Sequence, residues 1–113
     1  MNKFFLKVCV AVVVLPLLSL TPSSFQVAKL KYNGGGDWYA NKTSLPNLIK
    51  FCNQNLNTNI NPDEAVVDAG SNELFNYPFI HMTVHGNVVF SVHESENIRK
   101  SLLGGGFLND DVN

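Results

Sequence analysis

The run Tyr77-Pro78-Phe79-Ile80-His81-Met82-Thr83-Val84-His85-Gly86-Asn87 narrows the fold more than any other stretch. Phe79, Ile80, Met82 and Val84 leave almost no solvated face, whereas a half-exposed antiparallel strand would alternate apolar and polar residues. The run therefore predicts a central strand in a parallel sheet covered on both faces. Gly86 ends it, and in an open parallel sheet ligands bind just beyond the C-terminal ends of the strands.

The flanking segments supply the rest of an α/β pattern. Phe25 to Tyr32 alternates well enough for a strand, with a slip of phase at Ala28. Thr43 or Ser44 can cap a helix with Pro46 in its first turn, where a missing N–H costs nothing. Leu45, Leu48, Ile49, Cys52 and Leu56 then fall on one helical face. Ala65-Val66-Val67 reads as a short strand, and Ser71 to Asn76 as one helical turn. Ser91-Val92-His93-Glu94 has capping-box spacing and opens a helix that carries Ile98, Leu102 and Leu103 inward and stops at Gly104. Phe107-Leu108 starts a last strand, which Asn109-Asp110-Asp111 closes. Strand, helix, strand, strand, helix, strand predicts a small, mostly parallel sheet with helices packed against it.

The N-terminus reads differently. Lys3 and Lys7 precede an apolar run from Val8 to Leu20, and Thr21-Pro22-Ser23-Ser24 follows. A basic start, a short apolar core and a small-residue exit have the layout of a secretory signal peptide over residues 1–24, although an A-x-A cleavage site is missing. The run is shorter than the roughly 20 residues of a membrane span and is broken by Pro16. The expectation is an exported protein, periplasmic or extracellular, with no stable membrane span after cleavage. Of 8 basic and 9 acidic residues, removing Lys3 and Lys7 leaves 6 and 9, a net charge of −3 without a basic cluster, which argues against nucleic acid as a partner. Removing Cys9 leaves Cys52 alone on its helical stripe, where it reads as a buried structural thiol.

Three polar groups are predicted to converge on one sheet edge: Gly34-Gly35-Gly36-Asp37-Trp38-Tyr39, His85-Gly86-Asn87, and Asp110-Asp111. The triple glycine is either a flexible turn or a backbone wrap for an anion, but it lacks the Lys-Ser/Thr of a P-loop and the G-x-G-x-x-G spacing. Asp37, Trp38 and Tyr39 form either the wall of a ligand pocket or a cover over the sheet edge. His81 and His85 lie roughly 13 Å apart along a strand, at ~3.3 Å per residue, too far to share one metal ion. His81 reads as a core residue with a hydrogen-bonded ring, and His93 as a solvent-exposed residue in a first helical turn. His85 is the candidate of interest, with Asp110 or Asp111 as its expected carboxylate partner. Such a pair can bind a metal, orient a general base or hold the turn. No metal site and no cofactor are expected.

Four stretches together resemble an exported bacterial family, domain of unknown function 4159: residues 28–39, 74–79, 85–88 and 103–108. The resemblance covers nearly everything after the signal peptide. It implies a partial flavodoxin-like (Rossmann-like) three-layer fold of the ThuA-like and class I glutamine-amidotransferase-like group, and brings no established activity. It also implies that residues 25–113 are the N-terminal part of a longer domain. Amidotransferase relatives hold a cysteine nucleophile in the turn after the central strand; Thr83-Val84-His85-Gly86-Asn87 has neither cysteine nor serine there, which argues against hydrolysis through a thiolate. The family's last strand ends in an aromatic or His residue, an apolar residue and Asp-Asp, and Phe107-Leu108-Asn109-Asp110-Asp111 departs from that ending.

Two functions follow as expectations. The first is a non-catalytic small-ligand-binding or scaffolding module of the cell envelope. Its ligand would be a small molecule or sugar held by Gly35, Gly36, Asp37, Trp38, His85, Gly86 and Asn87, with other envelope proteins as further partners. The second is a hydrolase or isomerase on a small carbohydrate-like substrate, using His85 with Asp110 or Asp111.

Overall fold

A computed structural model describes residues 24–112. The expected signal peptide lies almost wholly outside them. Four strands, β1 (Ala28–Lys31), β3 (Ala65–Asp68), β4 (Phe79–Val84) and β6 (Phe107–Val112), form a parallel sheet in the order β3-β1-β4-β6. Two more, β2 (Gly34–Gly36) and β5 (Gly86–Val89), pair antiparallel as a separate ribbon. Helix α1 (Ser44–Asn55) and helix α2 (Val92–Leu103) complete the chain, with a 3-10 turn at Asn72–Asn76. The architecture is the expected mixed α/β one, consistent with part of a flavodoxin-like fold. Among the described residues no helix is long and apolar enough to cross a membrane.

Residue parity along the strands explains the layers. Ala28, Leu30, Val67, Ile80 and Met82 point to one face and pack with Leu74 and the half-buried Ile98 of α2. Val27 points to the other face, with Leu45 and Ile49 of α1 and the half-buried Phe79. β1 and β4 are the interior strands, which is why β4 reads as a run and the alternation of β1 is imperfect. The slip at Ala28 has this cause: Val27, Ala28, Lys29 and Leu30 are all buried. Burial of a side chain such as Leu30, Leu45 or Leu74 contributes about 1.5–3 kcal/mol each, so α1 is held on by far less than the opposite layer.

Both helices bury less apolar surface than their sequences predict. On α1 only Leu45 and Ile49 are buried, Cys52 is half-buried, and Leu48 and Leu56 are exposed. On α2 the buried positions are polar, Glu94, Asn97 and Ser101, while Leu102 borders the core beside Ile98 and Leu108 but stays partly open to solvent, and Leu103 faces outward. The reason is what α2 packs against: the loop after β3, whose carbonyls need donors. Asn97 Nδ2 donates to the Ala69 and Ser71 oxygens at 2.9 and 2.8 Å. His93, exposed as expected, also reaches back, its Nε2 lying 3.0 Å from the Gly70 oxygen. The capping box forms: Ser91 Oγ accepts from the Glu94 amide, and Glu94 Oε1 from the Ser91 amide, both at 3.1 Å.

β6 runs in register with β4 from Phe79↔Phe107 to Val84↔Val112. Asp110 and Asp111 therefore lie within the strand rather than closing it. A cross-strand contact reinforces the register, since His81 Nδ1 meets Asn109 Oδ1 at 2.9 Å on directly paired residues.

Candidate functional site

β4 delivers His85 to the C-terminal edge of the sheet. Gly86 follows with φ +98°, a conformation other residues adopt at a cost, and turns the chain into β5. β5 then folds back along β2, so the triple glycine is neither a loose turn nor an anion wrap. Its backbone is spent in pairing, Gly34 with Val89 and Gly36 with Gly86. Gly35 explains why glycine is needed: its φ is +79°, and a Cβ there would stand 1.6 Å from the Asn87 oxygen.

The ribbon ends by placing Asp37 against His85. The Asp37 amide donates to the His85 oxygen at 3.0 Å. Asp37 Oδ2 lies 3.4 Å from His85 Nδ1, with the two side chains 49% and 58% exposed. The other carboxylate oxygen accepts from the Tyr39 hydroxyl at 3.2 Å. This carboxylate thus bridges an imidazole and a phenol at an open surface. That bond and the Asp37 charge raise the Tyr39 pKa above its usual value. Beneath them Tyr32 is buried and donates to the Thr83 oxygen at 2.7 Å. Burial first, then the Asp37 charge, raise the Tyr32 pKa, while a hydrogen bond with the His85 main chain pulls the other way.

Trp38 and Tyr39 stack edge to face at 5.8 Å, and Lys31 Nζ lies 5.6 Å from the Trp38 ring centre. Trp38 is half-buried against the main core, whereas Tyr39 is 53% exposed. Trp38 thus packs over the sheet edge, and Tyr39 remains open to solvent.

The structure brings Gly35, Gly36, Asp37, Trp38, His85, Gly86 and Asn87 together in and beside the ribbon. It does not give His85 the expected carboxylate. Asp111 Oδ2 instead accepts from Asn41 Nδ2 at 3.3 Å, and the carboxylate beside His85 belongs to Asp37. The physical reason is the ribbon, which pins Asp37 to the His85 main chain, while β6 carries Asp111 in register with Thr83. The signal that could have found this pairing was in the sequence: two glycine-containing stretches of ribbon length, each next to one member of the pair. His81 is a core residue, 4% exposed and bonded to Asn109, as its position predicts.

Among the described residues no group of three or more His, Cys, Asp or Glu side chains is placed to hold a metal ion. The larger hollows lie away from His85. One of about 290 Å³ is lined by Phe75, Tyr77, Lys100 and the Gly104–Gly106 loop. Another of about 400 Å³ lies beside α1 at Ile49, Asn53 and Pro62. The Asp37–His85 corner is an open surface with directional polar groups and aromatic edges, suited to a ligand that lies across it.

No curated protein matches the sequence. Residues 26–113 match the family described as Domain of unknown function (DUF4159), and the chain belongs to that family.

Proposed function

We propose that the chain is a non-catalytic small-ligand-binding or scaffolding module of the cell envelope, built on an amidotransferase-like, ThuA-like domain that lacks the cysteine nucleophile. The observation that supports it is the Asp37–His85–Tyr39 constellation beside Trp38, at the C-terminal edge of a parallel sheet. A sugar-like ligand matches its chemistry. Asp37 accepts hydroxyl protons, His85 donates or accepts, and the aromatic pair offers an apolar face. Trp38 is the only tryptophan of the chain and therefore a built-in reporter. Its emission is expected to change saturably when the full chain is titrated with a panel of neutral monosaccharides, and to stop responding in Asp37→Ala. A flat response to every sugar would sink this reading.

A second reading is kept by one contact. A carboxylate on Nδ1 of His85 is the arrangement that orients a general base, so a hydrolase or isomerase would use His85 with Asp37 rather than with Asp110 or Asp111. Turnover of a carbohydrate-like substrate lost in both His85→Ala and Asp37→Asn would favour it over simple binding. Export belongs to the same proposal and rests on Lys3, Lys7 and the apolar run to Leu20. N-terminal sequencing of protein recovered from the envelope is expected to begin near Ser23 to Gln26, and recovery from the cytoplasm with Met1 intact would exclude it.

A further inference from the structure

On the face of the sheet covered by α1, β4 buries two polar atoms without a hydrogen-bond partner among the described residues, Nε2 of His81 and Oγ1 of Thr83. His81 is 4% exposed and Thr83 0%. Two residues apart in one strand, their side chains stand on the same face, about 7 Å apart at their bases. Their register neighbours are polar as well. On one side His81 pairs with Lys29 of β1, and on the other with Asn109 of β6, while Thr83 pairs with Asp111.

The state of each group limits what can satisfy it. With Asn109 Oδ1 as acceptor at 2.9 Å, His81 Nδ1 is the donor, and in the neutral ring Nε2 then presents a lone pair. Thr83 offers one donor and two acceptor positions. Leaving either atom unmet in the interior costs free energy comparable to a lost hydrogen bond. The guest must therefore donate to Nε2 and bond a hydroxyl.

Charge argues that the guest is neutral. Lys29, 4% exposed, reaches Glu64 Oε1 at 3.8 Å, and Glu64 Oε2 is itself buried without a partner. At the other end of the row Asp111 is met by Asn41, and Lys31 leans over Trp38. Two cations and two carboxylates flank the position, so neither an anion nor a cation gains from the field there. On this face α1 contributes Leu45 and Ile49, which are apolar and offer neither atom a hydrogen bond.

We propose that one internal water molecule, held on the face of β4 that α1 covers, donates to Nε2 of His81 and bonds Oγ1 of Thr83. A buried polar site with two or more partners holds a water as part of the structure. The water explains why an interior strand keeps a histidine and a threonine on the face where Val27, Leu45 and Ile49 form an apolar patch. It also supports the residues that carry His85. Thr83 is held on the opposite side by Tyr32, through its main-chain oxygen, and on this side by the water. The assignment stands whether or not the Asp37–His85 corner binds a ligand.

The test is water-selective NOE spectroscopy on the full chain with its histidines labelled with ¹⁵N. Cross-peaks from the water line are expected to both the His81 ring and the Thr83 methyl group, with a His81 Nε2 shift displaced to the hydrogen-bonded side of a free lone-pair nitrogen. In Thr83→Val, which keeps the shape and removes the hydroxyl, the cross-peaks are expected to be lost. If that variant does not fold, the wild-type cross-peaks and nitrogen shift decide the matter alone. Absence of water cross-peaks at both residues, or a crystal structure placing a protein donor within hydrogen-bond distance of Nε2, would overturn the assignment.

Discussion

Gly35 and Gly105 make a matched pair that isolates the close approach of β2 to β5. Both have positive φ, +79° and +101°. An alanine at either position carries the same backbone penalty, about 1–2 kcal/mol. They differ in surroundings. A Cβ at Gly105 meets nothing within 4 Å, whereas one at Gly35 would lie 1.6 Å from the Asn87 oxygen and 2.8 Å from its carbon. Those neighbours are backbone and cannot rotate away, so in Gly35→Ala the ribbon must open. Opening forfeits the Gly34–Val89 and Gly36–Gly86 pairing and the Asp37–His85 main-chain bond. At about 1 kcal/mol net per hydrogen bond, the further loss is ~2–3 kcal/mol. Urea unfolding is expected to show Gly105→Ala losing about 1–2 kcal/mol and Gly35→Ala about 3–5 kcal/mol, at unchanged slope. The Gly35→Ala variant is also expected to separate His85 from Asp37, seen as loss of the NOE contacts between the two residues by NMR. Equal losses in the two variants would refute the idea that the triple glycine exists for the ribbon.

His81→Ala is expected to destabilise the fold by about 1–3 kcal/mol, because it removes a packed, hydrogen-bonded ring, while His85→Ala leaves the melt nearly unchanged; equal losses in thermal melts would make His85 structural. Asn97→Ala strands the Ala69 and Ser71 carbonyls and is expected to cost ~2–3 kcal/mol in urea, whereas a loss below about 0.5 kcal/mol would mean that water takes over both bonds. Tyr32 and Tyr39 hold their protons above the usual tyrosine value of 10.0. Their contribution to stability is therefore complete below that value and lost as pH rises through the folded-state ionisations. Asp37→Ala removes the hydrogen bond and charge that raise Tyr39 and the charge that helps raise Tyr32, so spectrophotometric titration is expected to show earlier phenol ionisation; an unchanged curve would contradict the geometry of this carboxylate.

The fold was legible wherever burial leaves a local pattern. An interior parallel strand must be apolar on both faces, so Phe79–Val84 announced itself, and the capping box at Ser91 and Glu94 is a short-range device that needs no tertiary information. What local pattern could not carry was the choice among partners of the same kind. The chain offers Asp37, Asp110 and Asp111 as carboxylates for His85, and only the folding of β5 onto β2 selects Asp37. Likewise the apolar residues of α2 predict an apolar inner face. Asn97 is turned inward instead, because α2 packs over a loop whose carbonyls need donors. The amino-acid sequence by itself determined the four strands of the parallel sheet, the two helices and the place of His85 at the end of an interior strand, because each depends on residues within a few positions of one another. The tertiary structure decided that the ribbon sets Asp37, with its near neighbour Tyr39, against His85, and that Lys29, His81 and Asn109 share one row, because Asp37 and His85, like the members of the row, lie far apart in the chain.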